Sequence, residues 1–133
     1  MFKFGTKILT PDGYKNVETL KKGDKIINKN NEEEIIEDIF NCYDIIYELI
    51  TINDTFLYLY KNSYILTNMV EETHYIYNIF VKIEDLNYNK YLVKNNKTYE
   101  QIKSISKNLK TIETYTFLTK TNTFISNGFI LSN

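Results

Sequence analysis

Apolar positions along the chain alternate in short runs rather than recurring at a helical spacing, and turn-forming residues separate the runs. Residues 6–10 (TKILT) predict a strand. Pro11-Asp12-Gly13 predicts a turn in which Pro presets φ and Gly accepts a positive φ, and residues 14–16 predict the return strand. Residues 17–20 leave room for one helical turn before Lys22-Gly23-Asp24 leads into a strand over 25–28. Residues 33–43 predict a long or bent strand, because Ile35, Ile36, Ile39 and Phe40 do not alternate cleanly. Residues 45–52 and 55–60 predict a hairpin across Asn53-Asp54. Further strands are predicted over 64–67, 74–80, 91–93, 98–107 and 111–119, and a closing apolar stretch over 123–133 turns at Asn127-Gly128. No segment holds a helical period for more than a turn or two, so the chain reads as an all-β domain.

Composition agrees with that class and removes several functions. The 133 residues suit one domain, and 43% hydrophobic content is enough for a single core. Aromatic residues make up 15% of the chain, with abundant Ile and Thr, which is strand-forming composition. A net charge of -1 leaves no basic footprint for nucleic acid. One cysteine, Cys42, excludes an internal disulfide and a Cys-based metal cluster; one histidine, His74, excludes a His-pair zinc site. No apolar run spans a membrane and no signal peptide is evident, so a cytoplasmic monomer without metal or cofactor is the expectation.

Two features then stand out. Residues 17–27 (VETLKKGDKII) align with 83–93 (IEDLNYNKYLV) at an offset of 66, and 47–51 (YELIT) align with 115–119 (YTFLT) at an offset of 68. Two matches at nearly one offset point to a duplicated unit of about half the chain. Such units commonly pack about a pseudo-two-fold axis, which would bring the first and last residues together. The second feature is Asn133 after an apolar strand, where most domains end in a polar, frayed tail. An Asn side-chain amide can attack its own backbone carbonyl, form a succinimide and break the following peptide bond. Taken alone, the stretch also fits an ordinary strand ending in Asn.

The two ends together resemble the Hint domain, the fold shared by inteins and the autoprocessing domain of hedgehog proteins. The leading part reads Met1-Phe2-Lys3-Phe4-Gly5-Thr6, then Asp12-Gly13, then Leu20-Lys21-Lys22-Gly23-Asp24. The closing part reads Thr123-Phe124-Ile125-Ser126-Asn127-Gly128-Phe129-Ile130-Leu131-Ser132-Asn133. The resemblance covers residues 1–133 as one splicing domain and implies a horseshoe-like all-β fold with a pseudo-two-fold internal duplication. It also implies a self-excising activity whose partners are the flanking host-protein segments, with neither nucleic acid nor membrane involved. No stretch is long enough for a homing endonuclease. Residues 93–97 (VKNNK), where one would be inserted, make only a short polar loop, so a mini-intein is expected.

The resemblance assigns four jobs. Met1 stands where inteins carry a Cys or Ser nucleophile. A thioether has no proton to lose and cannot take up an acyl group, so Met1 is read as a replacement introduced for expression or as a natural degeneracy. The Thr-x-x-His element that polarises the first scissile bond falls on Tyr60-Lys61-Asn62-Ser63, with Tyr60 at the Thr place and Ser63 at the His place. A serine donates a hydrogen bond but is no acid near neutral pH. His74 follows Glu71 and comes late for the motif, and reads more simply as a loop or edge-strand histidine. The acidic or Cys position and the His position before the last hairpin fall on Thr116 and Asn122, and the penultimate His position falls on Ser132. Asn133 alone keeps the family's residue. Cys42, mid-chain, reads as a small buried or half-buried thiol. Three functions follow: a splicing domain that cyclises Asn133, a degenerate Hint domain kept as a binding or structural module, or an unrelated oligonucleotide-binding barrel. The last would need a basic groove beside its aromatics, which the charge does not supply.

Overall fold

The computed structural model of the protein describes residues 2–70, 76–88 and 90–133. These residues form the strands β1 (Phe2–Lys3), β2 (Lys7–Thr10), β3 (Gly13–Asn16), β4 (Lys25–Ile27), β5 (Glu33–Ile35), β6 (Asp38–Thr51) and β7 (Phe56–Tyr60). They continue with β8 (Tyr64–Val70), β9 (Ile76–Lys82), β10 (Tyr91–Val93), β11 (Tyr99–Leu118), β12 (Thr123–Ser126) and β13 (Phe129–Ser132). The helical content is two 3₁₀ turns, Val17–Thr19 and Ile83–Asp85, so no helix among the described residues is long enough to cross a membrane. A nine-stranded sheet runs in the order β1-β7-β6-β11-β10-β8-β13-β12 with β9 beside β8, and β2-β3 and β4-β5 form separate hairpins. Because β1 pairs with β11 as well as β7, the strands β1, β7, β6 and β11 close into a small ring.

The predicted hairpin across Asn53-Asp54 is present, with Asp54 at a φ of 61° and its amide on the Thr51 carbonyl. Two strand divisions differ from expectation. The break after residue 33 falls at Ile36-Glu37, and a single strand then runs through 43–45. The stretches expected as separate strands at 98–107 and 111–119 are one twenty-residue strand, β11. Register shifts between Ile102 and Ser104 and between Lys107 and Thr111 absorb the polar run that reads as a loop. Cys42 also departs from expectation. It is exposed, on the stretch of β6 before the pairing with β7 begins at Ile46, and its Sγ lies 3.3 Å from Thr114 Oγ1.

The internal echo is a structural duplication. Each half carries a 3₁₀ turn closed from the residue after it, Leu20 N–H to Val17 O at 3.2 Å and Leu86 N–H to Ile83 O at 3.3 Å. β4 pairs with β5 through Lys25↔Ile35 and Ile27↔Glu33, and β10 pairs with β11 through Tyr91↔Gln101 and Val93↔Tyr99, each residue 66 further on. The connecting turns repeat as well. Asn31 and Lys97 have φ values of 58° and 67°, and Asn28 N–H to Glu32 O corresponds to Lys94 N–H to Thr98 O. Asp54 and Asn122, 68 apart, share a left-handed backbone with φ values of 61° and 53°.

The core lies between the halves. Phe2 stacks on Phe117 at 6.1 Å and meets Phe124 edge-on at 5.3 Å, so rings from β1, β11 and β12 pack as one group. All three are fully buried, and each ring of that size removes some 150–250 Å² from water on folding. The last hairpin is buried along both arms, with β13 held between β12 and β8. Its two-residue loop, Asn127-Gly128, has φ values of 49° and 87°, the mirror-image turn whose twist suits a hairpin. A Cβ at position 128 would sit 3.2 Å from Lys94 Cε, whose side chain can move, so the backbone decides the cost. Gly128→Ala should therefore lower stability by about 1–2 kcal/mol, the penalty of a left-handed non-glycine residue, measurable by urea unfolding.

Candidate functional site

The ends of β1 and β13 meet at one stretch of β11. Phe2 pairs with Leu59 on one side and Tyr115 on the other. Both partners are antiparallel, so the next residues along them past the amide end of β1 are Tyr60 and Thr116. At the other end of the chain, Ser132 pairs with Tyr64, which places Ser63 one step beyond, beside Asn133. The Asn133 amide donates to the Asn122 carbonyl at 3.2 Å and its Nδ2 donates to the Phe117 carbonyl at 2.8 Å. The fold thus puts Ser63, Asn122 and Ser132 beside Asn133, whose side chain reaches Phe117, and puts Tyr60 and Thr116 beside the amide end of β1. Met1 and His74 lie outside the described residues.

The local reasons differ from residue to residue. Ser63 is 2% exposed; its N–H donates to the Tyr60 carbonyl and its carbonyl accepts from Ile83 N–H, both at 2.9 Å. Thr6 does the same in the first half, taking the Val17 N–H at 2.9 Å and donating to Lys3. Ser63 therefore has a backbone duty in the duplicated fold whatever its side chain does. The Tyr60 hydroxyl accepts from Asn62 Nδ2 at 2.9 Å, so part of this turn is tied to itself. Asn122 is held in its left-handed conformation by a reciprocal pair: its N–H donates to Thr119 Oγ1, and its Oδ1 accepts from Thr119 N–H, each at 3.0 Å. Thr116 Oγ1 is buried without a hydrogen-bond partner among the described residues, an arrangement that costs stability and is uncommon.

Ser132 Oγ donates to the Asn133 carbonyl oxygen at 3.3 Å. In a chain that continues, that oxygen belongs to the peptide bond after Asn133. The site thus holds a carboxamide oriented by one carbonyl and a hydroxyl placed on the carbonyl that the carboxamide would attack. Around them the described side chains are hydroxyls, carboxamides and phenyl rings, with neither imidazole nor carboxylate at the positions where the resemblance expects them. Among the described residues, no group of three or more His, Cys, Asp or Glu could hold a metal ion.

Two parts of the site were not visible in the sequence. Phe117 acts through its backbone carbonyl, which no side-chain motif reports. Glu34 supports the turn that carries Asn122. Burial raises its carboxyl pKa, while hydrogen bonds from Asn28, Thr121 and Thr119 lower it, and the net position is below the ordinary 4.5. A carboxyl depressed in the folded state contributes stability that is fully present above its unfolded value and is lost as pH falls through the folded one. Glu34→Gln should accordingly flatten the fall in Tm below pH 4.5 relative to the parent, read by thermal unfolding across that range.

No protein-family model and no curated protein sequence matches the chain. Solved structures do. The gp41-1 intein superposes with a TM-score of 0.77 at 15% identity, over 98% of this chain and 96% of that one. The bacterial intein-like domain from Clostridium thermocellum superposes with a TM-score of 0.74 at 19% identity, over 100% and 99%. A DnaB intein from Synechocystis sp. PCC 6803 gives 0.75 at 15%, over 98% and 96%. Duplicated halves, a buried closing hairpin and these superpositions show an all-β Hint fold. That fold is shared, over 98–100% of this chain, with inteins and an intein-like domain.

Proposed function

We propose that the chain is a self-excising protein-splicing domain, a mini-intein whose downstream cleavage proceeds by cyclisation of Asn133. The single observation that carries this reading is the placement of Asn133, with Nδ2 on the Phe117 carbonyl and Ser132 Oγ on its own carbonyl oxygen. Nδ2 attacks the Asn133 carbonyl carbon, charge develops on the oxygen that Ser132 contacts, and the bond to the following residue breaks. Nδ2 gives up a proton and the departing amine takes one, and Asn133 is exposed enough for water to serve both transfers. The products are a chain ending in a succinimide and a downstream segment with a free amino terminus. The partners are then the host-protein segments on either side.

Upstream chemistry needs a Cys or Ser at position 1, where its thiol or hydroxyl takes the acyl group from the preceding residue. The pairing of Phe2 with both Leu59 and Tyr115 supports a role for Tyr60 and Thr116 around that junction. A second reading, a degenerate Hint domain serving as a binding or structural module, is favoured by the missing imidazoles and by the backbone duty of Ser63. The two separate on one experiment. Met1→Cys, given short host segments on both sides and a Cys after Asn133, should yield the two segments ligated together, followed by gel and mass spectrometry. If neither ligation nor cleavage occurs, the module reading replaces the splicing one.

A further inference from the structure

We propose that Glu34 is a positioning residue for cleavage at Asn133, clamping the turn whose Asn122 carbonyl holds the Asn133 amide; this rests on the cyclisation reading above. Glu34 lies on β5, far in sequence from the site, yet its carboxylate collects the 119–123 turn. Oε2 accepts from Thr121 Oγ1 at 2.9 Å and from Thr121 N–H at 3.4 Å, and Oε1 accepts from Asn28 Nδ2 at 3.0 Å. Behind Thr121 the order continues: Lys29 N–H donates to Thr123 Oγ1 at 3.1 Å, and Thr123 Oγ1 lies 2.7 Å from Thr121 Oγ1. With Thr121 giving its proton to the carboxylate, Thr123 must give its own to Thr121. An acceptor that cannot donate, at the end of the row, thus sets the direction of every hydroxyl in it.

The turn needs such an anchor. Asn122 holds a φ of 53°, an unfavourable region for a non-glycine residue, and it directly follows Thr121, whose N–H and hydroxyl Glu34 holds. Asn122 then offers its carbonyl to Asn133 N–H, one step beyond the Thr123↔Ser132 pair that ends the hairpin ladder. Movement of the turn therefore moves the backbone of the residue proposed to react.

The duplication supplies a matched control. Glu100 is the counterpart of Glu34 at the same register, opposite Leu92 where Glu34 is opposite Ile26. It reaches the corresponding turn through Asn53 Nδ2 at 2.8 Å and has Lys94, the counterpart of Asn28, at 3.8 Å. Both glutamates therefore fasten the turn before a following strand. The Glu100 turn leads into β7, whereas the Glu34 turn holds the Asn133 amide through the Asn122 carbonyl.

The test uses the full chain followed by a short reporter segment. Glu34→Ala should slow release of the reporter by about tenfold or more, as expected for a misplaced reacting group. Glu34→Gln, which keeps an acceptor oxygen for Thr121, should recover part of the rate. Glu100→Ala should lower Tm but leave the rate within about twofold of the parent. In parallel, hydrogen exchange at the Asn133 amide, followed by NMR in the chain bearing Asn133→Asp so that no cleavage intervenes, should accelerate with Glu34→Ala and not with Glu100→Ala. Equal slowing by the two alanine variants, or unchanged rate and exchange in Glu34→Ala, overturns the proposal. Should the parent fail to release the reporter, the cyclisation reading falls, and the exchange comparison still decides whether Glu34 places residue 133.

Discussion

Asn133→Ala is expected to abolish release of a downstream segment while leaving the fold in place. Alanine removes the only carboxamide able to close a five-membered ring onto the Asn133 carbonyl. The loss should be about 10³-fold or more, since the intramolecular nucleophile and its orientation disappear together. Its structural cost is small. The hydrogen bond from the Asn133 side chain to the Phe117 carbonyl, 2.8 Å long at an exposed residue, is worth about 0.5–1.5 kcal/mol. Thermal unfolding should therefore change little while cleavage stops. A large fall in Tm alongside the lost cleavage would instead make Asn133 a structural residue. Asn133→Asp is a useful companion, because an ionised carboxylate is a poor nucleophile toward its own amide yet nearly preserves shape.

Ser132→His carries the second large effect, in the opposite direction. Ser132 Oγ sits 3.3 Å from the carbonyl oxygen, close enough to polarise it but unable to hand a proton to the departing amine near neutral pH. An imidazole at the same half-buried position could do both, and general acid catalysis contributes about 10²–10⁴-fold. A gain near the low end, about 10²-fold, is expected because the surrounding shell has not been shaped for a ring. The gain should also follow the titration of the new imidazole, near pH 6.5 in an unperturbed side chain, a dependence absent from the parent. Release measured against pH in both proteins checks this. An unchanged rate would mean that leaving-group protonation is not what limits cleavage here.

The fold was legible wherever a local rule and a long-range need coincided. Asn53-Asp54 and Asn127-Gly128 mark turns because those residues tolerate the left-handed backbone that the hairpins require, and both turns are present. The 66-residue echo was legible because the two 3₁₀ turns and the strands after them bury the same positions, Val17 with Ile83 and Ile26 with Leu92. The continuity of β11 was hidden, since Lys107–Thr111 reads as a polar loop while the structure carries it through a register shift. Cys42 misled for a related reason: it lies on the stretch of β6 before the β7 pairing begins, where alternation alone does not decide burial. At the site, Asn133 was named from the resemblance, whereas Phe117 holds it through a backbone carbonyl common to every residue type. Glu34 was obscured differently. Nothing near it in sequence hints at chemistry, and its meaning comes from pairing the halves so that Glu34 stands beside Glu100 and Thr121 beside Asn53.

Cyclisation of Asn133 acts on one bond, the peptide link that would follow Asn133. The most direct measurement is intact-mass and peptide-level mass spectrometry of the chain carrying a downstream segment, incubated near neutral pH beside its Asn133→Ala variant. The expected result is a released segment beginning at the residue after Asn133 and a chain one water lighter than the Asn133 acid, the mass of a terminal succinimide, with neither species from the variant. An uncleaved parent, or cleavage that proceeds equally in the variant, would contradict it.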